Sequence, residues 1–317
     1  MIELIFALLL GIGLLLFSSD KTIEFTQKLA KIIGIPPLLI GIIILAMGTS
    51  LPEIMTSITS SAAGHGDINV GDVLGSCLSQ ITLILGLSVL LGGEVRGARK
   101  DVMLLGGCAI LAAILAVFVA EKGFITRTNA IFLIGSYFIF LFISERYTRK
   151  RYFVPPENVS HDRKELLQLL FKILIGLLFV LGSSWVVVNS IVEISVMIGI
   201  PEYFVSFFGL ALGTSLPELA ICLAAIRKKN FELVIGNILG SNMTDATLAL
   251  GSGPLIAPNF LQEGAFVLTT GIYMVFASAI VVGLFAFRRK IDKKAGLALI
   301  ALYILSYLFV GLAIHLT

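Results

Sequence analysis

Charge is what this chain has least of. Only 14% of its 317 residues are Asp, Glu, Lys or Arg, against 57% hydrophobic, and the mean hydropathy is +1.02. That balance excludes an ordinary water-soluble domain, in which about a quarter of residues are charged. Histidine is scarce too: His65, His161 and His315 all lie outside the middle of any apolar run. Softer transition metals favour His or Cys, so a buried site for them is excluded. An intramembrane hydrolase pairing serine with a histidine base is excluded on the same ground. The three cysteines, Cys77, Cys108 and Cys222, sit inside apolar runs, an odd number without framework spacing, and read as small packing residues. The first apolar segment lacks a basic leader and a small-residue cleavage site, so it reads as a retained helix.

What is present in abundance is apolar runs long enough to cross a bilayer. Ten spans are expected, near 2–18, 35–60, 69–92, 101–120, 128–145, 166–190, 202–226, 232–256, 264–287 and 295–315. Helical periodicity continues past the first and sixth, through Thr22 to Ile33 and Val188 to Ile198. The fold class is therefore an all-α polytopic membrane protein. Basic residues gather in alternate connections: Lys21 to Lys31, Arg96 to Lys100, Arg146 to Lys164, Arg227 to Lys229 and Arg288 to Lys294, while the other set holds only Lys122 and Arg127. Lys172 stands at a helix entrance. The positive-inside rule then puts both termini outside, in a plasma-membrane setting. With topology explaining the basic clusters, nothing calls for a nucleic-acid partner. The partners implied are ions and the lipid bilayer, with no cofactor and no obligate protein partner.

The longest connection, 146–165, contains Pro155-Pro156 and mixed charge, and reads as a cytoplasmic linker between residues 1–145 and 166–317. Five spans on each side make the second half inverted relative to the first, giving two inverted five-helix repeats. The sequence carries the signature of such a duplication. Gly48-Thr49-Ser50-Leu51-Pro52-Glu53 recurs as Gly213-Thr214-Ser215-Leu216-Pro217-Glu218, an offset of 165 residues. Gly71-Asp72-Val73-Leu74-Gly75-Ser76 answers Gly236-Asn237-Ile238-Leu239-Gly240-Ser241 at the same offset, and Gln80 falls opposite Asp245.

A glutamate inside a membrane span is costly and marks function. Pro52 and Pro217 lack an N–H, so carbonyls over Ala46 to Thr49 and Ala211 to Thr214 lose helical partners. Unpaired backbone at membrane depth is tolerated only where it lines a cavity or is buried in protein. Thr49 and Ser50, four and three residues before Glu53, are expected on its helix face, as are Thr214 and Ser215 with Glu218. Ser76 with Gln80 and Ser241 with Asp245 repeat that spacing on the next span. Every candidate donor is an oxygen, which suits hard cations such as Ca²⁺. A proline-kinked helix packed through small residues is the structural alternative, and the doubling at one offset argues against it. Ser79, Thr82, Asn242 and Thr244 flank the site. Asp72 and Asn237, near the start of their spans, read as helix caps, with a place on an ion path as the alternative. His65 and Asp67 are expected in a short outer loop. A channel would normally surround a pore with symmetric subunits rather than two inverted halves of one chain.

At its paired phrases the chain resembles the calcium/cation antiporter superfamily, and within it looks most like the prokaryotic sodium/calcium exchangers. The resemblance spans essentially the whole chain. It implies a secondary antiporter, not an enzyme, working by alternating access at a midplane carboxylate site. By that likeness Glu53 and Glu218 are calcium ligands together with the carbonyls of Thr49 and Thr214. Sodium would use the carbonyls of Ala46 and Ala211, the hydroxyls of Ser50, Ser215, Ser76 and Ser241, and both glutamates. Asp245 matches the family's acidic position on the eighth span. Gln80 departs from the asparagine usual there, and its extra methylene displaces the amide. The coupling ion is thus left between Na⁺, favoured by the GTS wording, and H⁺ or a K⁺-assisted variant.

Overall fold

The computed structural model describes residues 2–152, 163–197, 213–261 and 264–316. Helix α1 (Ile2–Ile33) ends at Gly34, whose φ of 64° suits a left-handed stop, and Pro36-Pro37 opens the next segment. That segment is α2 (Pro37–Ile40), a π-helical turn at Gly41–Leu45, α3 (Ala46–Thr49) and, after a break, α4 (Leu51–Ala62). Then come α5 (Gly66–Ser79), a π-helical turn at Gln80–Ile84, and α6 (Leu85–Gly92). Helices α7 (Arg99–Ala120), α8 (Arg127–Arg151) and α9 (Arg163–Met197) follow. The remainder is α10 (Leu216–Arg227), α11 (Phe231–Thr244), a third π-helical turn at Asp245–Ala249, α12 (Leu250–Ile256), α13 (Gly264–Arg288) and α14 (Lys293–Leu316). The long α1 and α9 match the periodicity that outran their expected spans.

Among the described residues six helices are long and apolar enough to cross a membrane, or seven if the pair Pro37–Thr49 and Leu51–Ala62, bent by 41°, is one span. The start of the span expected at 202–226 lies outside the described residues, as does His161. Large side chains such as Phe132, Phe138, Phe171, Phe179 and Trp185 are more than half exposed, the outward face of a bundle in lipid.

The connections repeat one geometry at the 165-residue offset. After α4, Gly64 (φ 82°) turns the chain, and His65 N–H bonds the Ser60 carbonyl at 2.8 Å. After α10, Lys229 (φ 53°) does the same, and Asn230 N–H bonds the Ala225 carbonyl at 2.9 Å. His65 is thus the residue just before α5 and Asp67 lies in its first turn, rather than both in a loop. Among the described residues four two-residue strands, which the sequence pattern did not announce, extend the helix ends. β1 (Val95–Arg96) pairs with β4 (Lys290–Ile291), and β2 (Phe124–Ile125) with β3 (Asn259–Phe260), both antiparallel. Each pair joins one half of the sequence to the other. Beside the first pair, Glu94 accepts from Arg96 and Lys290, which hold its carboxyl below the usual range.

The innermost element is α11, buried all round from Leu233 to Thr244. It crosses the α2–α3 segment at glycine. A Cβ at Gly41 would stand 3.1 Å from the Gly236 Cα, and one at Gly240 would stand 2.8 Å from the Ala46 Cβ. Further out, Gly86 packs on Gly296 and Ile300 of α14, and Gly251 on Ala130 and Ile134 of α8, again at corresponding positions. α1 and α9 lie along one another. At the end of α8, buried Asp101 of α7 accepts from Tyr147 at 3.0 Å and from Tyr152, and pairs with Arg151 at 2.8 Å. This clamp carries α8 as helix to Arg151, inside the stretch read as linker, while α9 resumes at Arg163.

Gly236→Ala drives a methyl into the Leu38 carbonyl and the Gly41 backbone. Overpacking of this kind destabilises by about 1–3 kcal/mol. Thermal unfolding in detergent is expected to show a midpoint several degrees lower, with Gly107→Ala, which meets no described atom within 4 Å, near wild type.

Candidate functional site

Both copies of the repeated phrase break at serine. Ser50 (φ −80°, ψ 4°) separates α3 from α4, and Ser215 (φ −89°, ψ 1°) precedes α10. The prolines do not kink a continuous helix; Pro52 and Pro217 sit in the first turn of α4 and α10, where a missing N–H costs nothing. Thr49 and Ser50 therefore form a corner with Glu53 rather than one unbroken helix face. Across the corner Ser50 N–H still bonds the Ala46 carbonyl at 3.0 Å, and the Thr49 hydroxyl approaches the same oxygen at 3.3 Å. Pro52 has no N–H to offer the Gly48 carbonyl four residues back, so that oxygen lacks its usual helical donor.

Glu53 and Glu218 each fall in the first turn of the new helix, at its positive end. Both are fully buried, and among the described residues neither oxygen of either carboxylate has a hydrogen-bond partner. The hydroxyls of Thr49 and Ser241 lie beside Glu218, outside good hydrogen-bond geometry. Glu53 is within electrostatic reach of Asp245, Glu218 and Asp72.

The polar groups around them interlock across the halves. Thr49 Oγ1 and Ser241 Oγ are 3.4 Å apart, and the corresponding Thr214 Oγ1 and Ser76 Oγ are 3.2 Å apart. Ser79 Oγ meets Ser215 Oγ at 3.0 Å. Gln80 Nε2 donates to Asp245 Oδ2 at 2.8 Å, while Asn242 Nδ2 donates to Gln80 Oε1 at 3.0 Å. The structure thus brings Thr49, Ser50, Glu53, Ser76, Gln80, Thr214, Ser215, Glu218, Ser241 and Asp245 into one buried region. Ala46 lies beside it in α3, and Ala211 is outside the described residues. Gln80 and Asp245 each open a π-helical turn, a distortion frequent at functional sites.

Two flanking residues prove to be direct partners: Ser79 through Ser215, and Asn242 through Gln80. Their signal in the sequence was proximity alone. The helix-cap reading of Asp72 and Asn237 is overturned. The residues preceding α5 and α11 are His65 and Asn230, and both candidates lie a turn or more inside their helices, buried. Cys77 and Cys222 are buried free thiols in contact with Asn242 and Asn237.

Among the described residues no three His, Cys, Asp or Glu side chains converge on one metal position. A cation here would need hydroxyl, amide and carbonyl oxygens to complete its shell, which is the chemistry of hard ions. Two buried carboxylates without partners are the groups such an ion would satisfy.

Against known proteins, a family model described as sodium/calcium exchanger protein matches residues 3–145 and 168–312. The chain is 30% identical over 309 residues to the putative antiporter CaxA of Alkalimonas amylolytica, covering 93% of this chain and 95% of that one. It is 27% identical to the sodium/calcium exchanger MaX1 of Methanosarcina acetivorans, covering 94% and 95%. A solved structure of the sodium–calcium exchanger NCX_Mj, soaked with 10 mM Na⁺ and zero Ca²⁺, superposes with a TM-score of 0.80 at 29% identity, over 97% of this chain and 99% of the other.

Cation-dependent stability tests the role of the two glutamates. A ligand at a hundredfold its Kd stabilises by about 2.7 kcal/mol. Purified protein is expected to gain a clear rise in Tm with Ca²⁺, and Glu53→Gln or Glu218→Gln to lose most of it while remaining at least as stable as wild type without cation, since the amide removes a buried charge. A full calcium-induced shift in either variant would remove both from the site.

Proposed function

Because this chain belongs to the sodium/calcium exchanger protein family, we propose that it exchanges Ca²⁺ for Na⁺ by alternating access at the Glu53–Glu218 region. Cation antiport across a membrane, with no enzymatic step, is the class the family supplies. The observation that carries the finer reading is the pair of buried, partnerless carboxylates at matched helix breaks. Glu53, Glu218 and the carbonyls of Thr49 and Thr214 serve Ca²⁺. The hydroxyls of Ser50, Ser76, Ser215 and Ser241, and the carbonyls of Ala46 and Ala211, suit Na⁺. Because both ions need the same glutamates, neither binds while the other is held, and exchange follows from competition.

The architecture that goes with this reading is ten spans in two inverted halves, residues 1–145 and 166–317, meeting at the midplane. Its support is the set of contacts that recur at the 165-residue offset, from the hydroxyl pairs to the turns after α4 and α10. The basic connections favour a plasma-membrane protein with both termini outside.

Charge bears on coupling. Glu53, Glu218 and Asp245 are all buried in this region, so as many monovalent ions as carboxylates would neutralise it, whereas one Ca²⁺ would not. Exchange would then move net charge. Gln80, hydrogen-bonded to Asp245, stands where Na⁺ and H⁺ coupling differ most in their demands, and the experiment must separate them.

In Na⁺-loaded proteoliposomes diluted into Na⁺-free medium under a voltage clamp, Ca²⁺ is expected to accumulate, and a protonophore to leave uptake intact. Glu53→Gln and Glu218→Gln abolish it; Gln80→Asn retains Ca²⁺ transport with an altered monovalent-ion dependence. Uptake driven by a pH gradient and indifferent to Na⁺ gives the proton-coupled reading instead. Flux needing no counter-ion makes it a channel.

A further inference from the structure

The polar side chains beyond the central region gather on one flank of it. α4 carries Glu53, Ser57 and Ser61 at successive four-residue steps, and α5 carries Asn69, Asp72 and Ser76 at steps of three and four, so each set forms a stripe. All six side chains are buried, and the two helices pack together. Asn69 Nδ2 reaches Ser61 Oγ at 3.5 Å and the Leu250 carbonyl at 3.4 Å, and Ser57 Oγ accepts from Gly253 N–H at 2.9 Å. What stays unmatched is acidic or acceptor in character: both oxygens of Asp72, only 5% exposed, and Asn69 Oδ1.

The other half lacks this stripe. At the 165-residue offset Ser57 and Ser61 become Cys222 and Ile226, and Asn69 and Asp72 become Val234 and Asn237. Asn237 Nδ2 touches Cys222 Sγ at 3.7 Å, and Asp72 and Ser57 hold the corresponding positions on the packed pair α5 and α4. Asp72 stands one turn from Ser76 and within electrostatic reach of Glu53 and Asp245. A carboxylate buried at membrane depth with neither oxygen matched asks for a cation, whereas its counterpart Asn237, whose Oδ1 is also unmatched, carries no charge.

We propose that Asp72, with Ser57 and the Asn69 carbonyl oxygen, is a further cation-binding position on the route between the central region and the face where α4 ends. This rests on the exchange reading and deepens it by giving one flank a charged waypoint that the other lacks. One carboxylate and a few neutral oxygens fall short of the roughly 6–8 oxygens that Ca²⁺ takes, so the ion keeps part of its water and is held more weakly than at the glutamates. The effect is to concentrate cations on one side of the barrier.

The test titrates Ca²⁺ separately at each face of proteoliposomes holding the full chain in one orientation. Asp72→Asn installs the residue already present at position 237. It is expected to raise the half-saturating Ca²⁺ about fivefold or more at the face where α4 ends, and less than about twofold at the other. Asp72→Glu, which keeps the charge, recovers most of the affinity, and Ser57→Ala gives a smaller rise at the same face only. Equal shifts at both faces, or none, overturn the proposal while leaving exchange intact. Equilibrium ⁴⁵Ca²⁺ binding to purified Glu218→Gln protein gives a second reading. Weak residual binding that Asp72→Asn removes supports the waypoint, and residual binding that survives it, or none at all, overturns it. Wild-type protein that neither binds nor exchanges Ca²⁺ overturns the exchange reading as well.

Discussion

Carboxylates inside a bilayer must be matched, and no hydrogen bond from the described residues matches Glu53 or Glu218. The rest of the structure follows from this constraint. The helix breaks at Ser50 and Ser215 put each glutamate at a fresh N-terminus, whose amide dipole favours the charge. The Gly48 carbonyl, which Pro52 cannot bond, supplies neutral oxygen on the other side of the first break. Hydroxyls then line up from both halves, so that the charge is surrounded by groups able to turn toward an ion. Donors that would quench the carboxylates outright are kept away: among the described residues no Lys or Arg is buried.

Holding such a region together demands close packing just outside it. The glycine crossing of α11 with the α2–α3 segment brings backbones into contact, leaving little slack beside Ala46 and Ser241. The π-helical turns at Gln80 and Asp245 rotate those side chains into a mutual hydrogen bond. Peripheral helices carry the apolar exterior, and the strand pairs at the helix ends tie each half to the other. The polar stripe of α4 and α5 stands out because it departs from the near-symmetry of everything else.

Much of this was legible in the letters. The duplicated Gly-Thr-Ser-Leu-Pro-Glu phrase pointed to the central residues, since a repeated glutamate in an apolar run has few explanations, but which hydroxyls meet across the halves was not readable from it. The proline was read as a kink, yet its preference for a first turn decides the geometry, so the break moved to serine. π-helical turns and two-residue strands leave no periodicity and could not be read. Asp72 was mistaken for a cap because its distance from the true helix start depends on His65 and Gly64 turning the chain, a tertiary matter. The number of spans is less plain in three dimensions, where bent and interrupted helices such as the Pro37–Ala62 segment blur what hydropathy draws as clean blocks.

The shared hydroxyl pairs, Thr49 with Ser241 and Ser76 with Thr214, bear on how the chain is made. Ribosomes add about 5–20 residues per second, so Glu53 and its neighbours emerge on the order of ten seconds before the helix that completes their surroundings. During that interval Thr49 and Ser76 of the first half are without the hydroxyls that Ser241 and Thr214 bring to them. Its biogenesis thus contains an obligatory waiting period, in which water, an ion or a chaperone of the membrane must stand in for residues not yet synthesised.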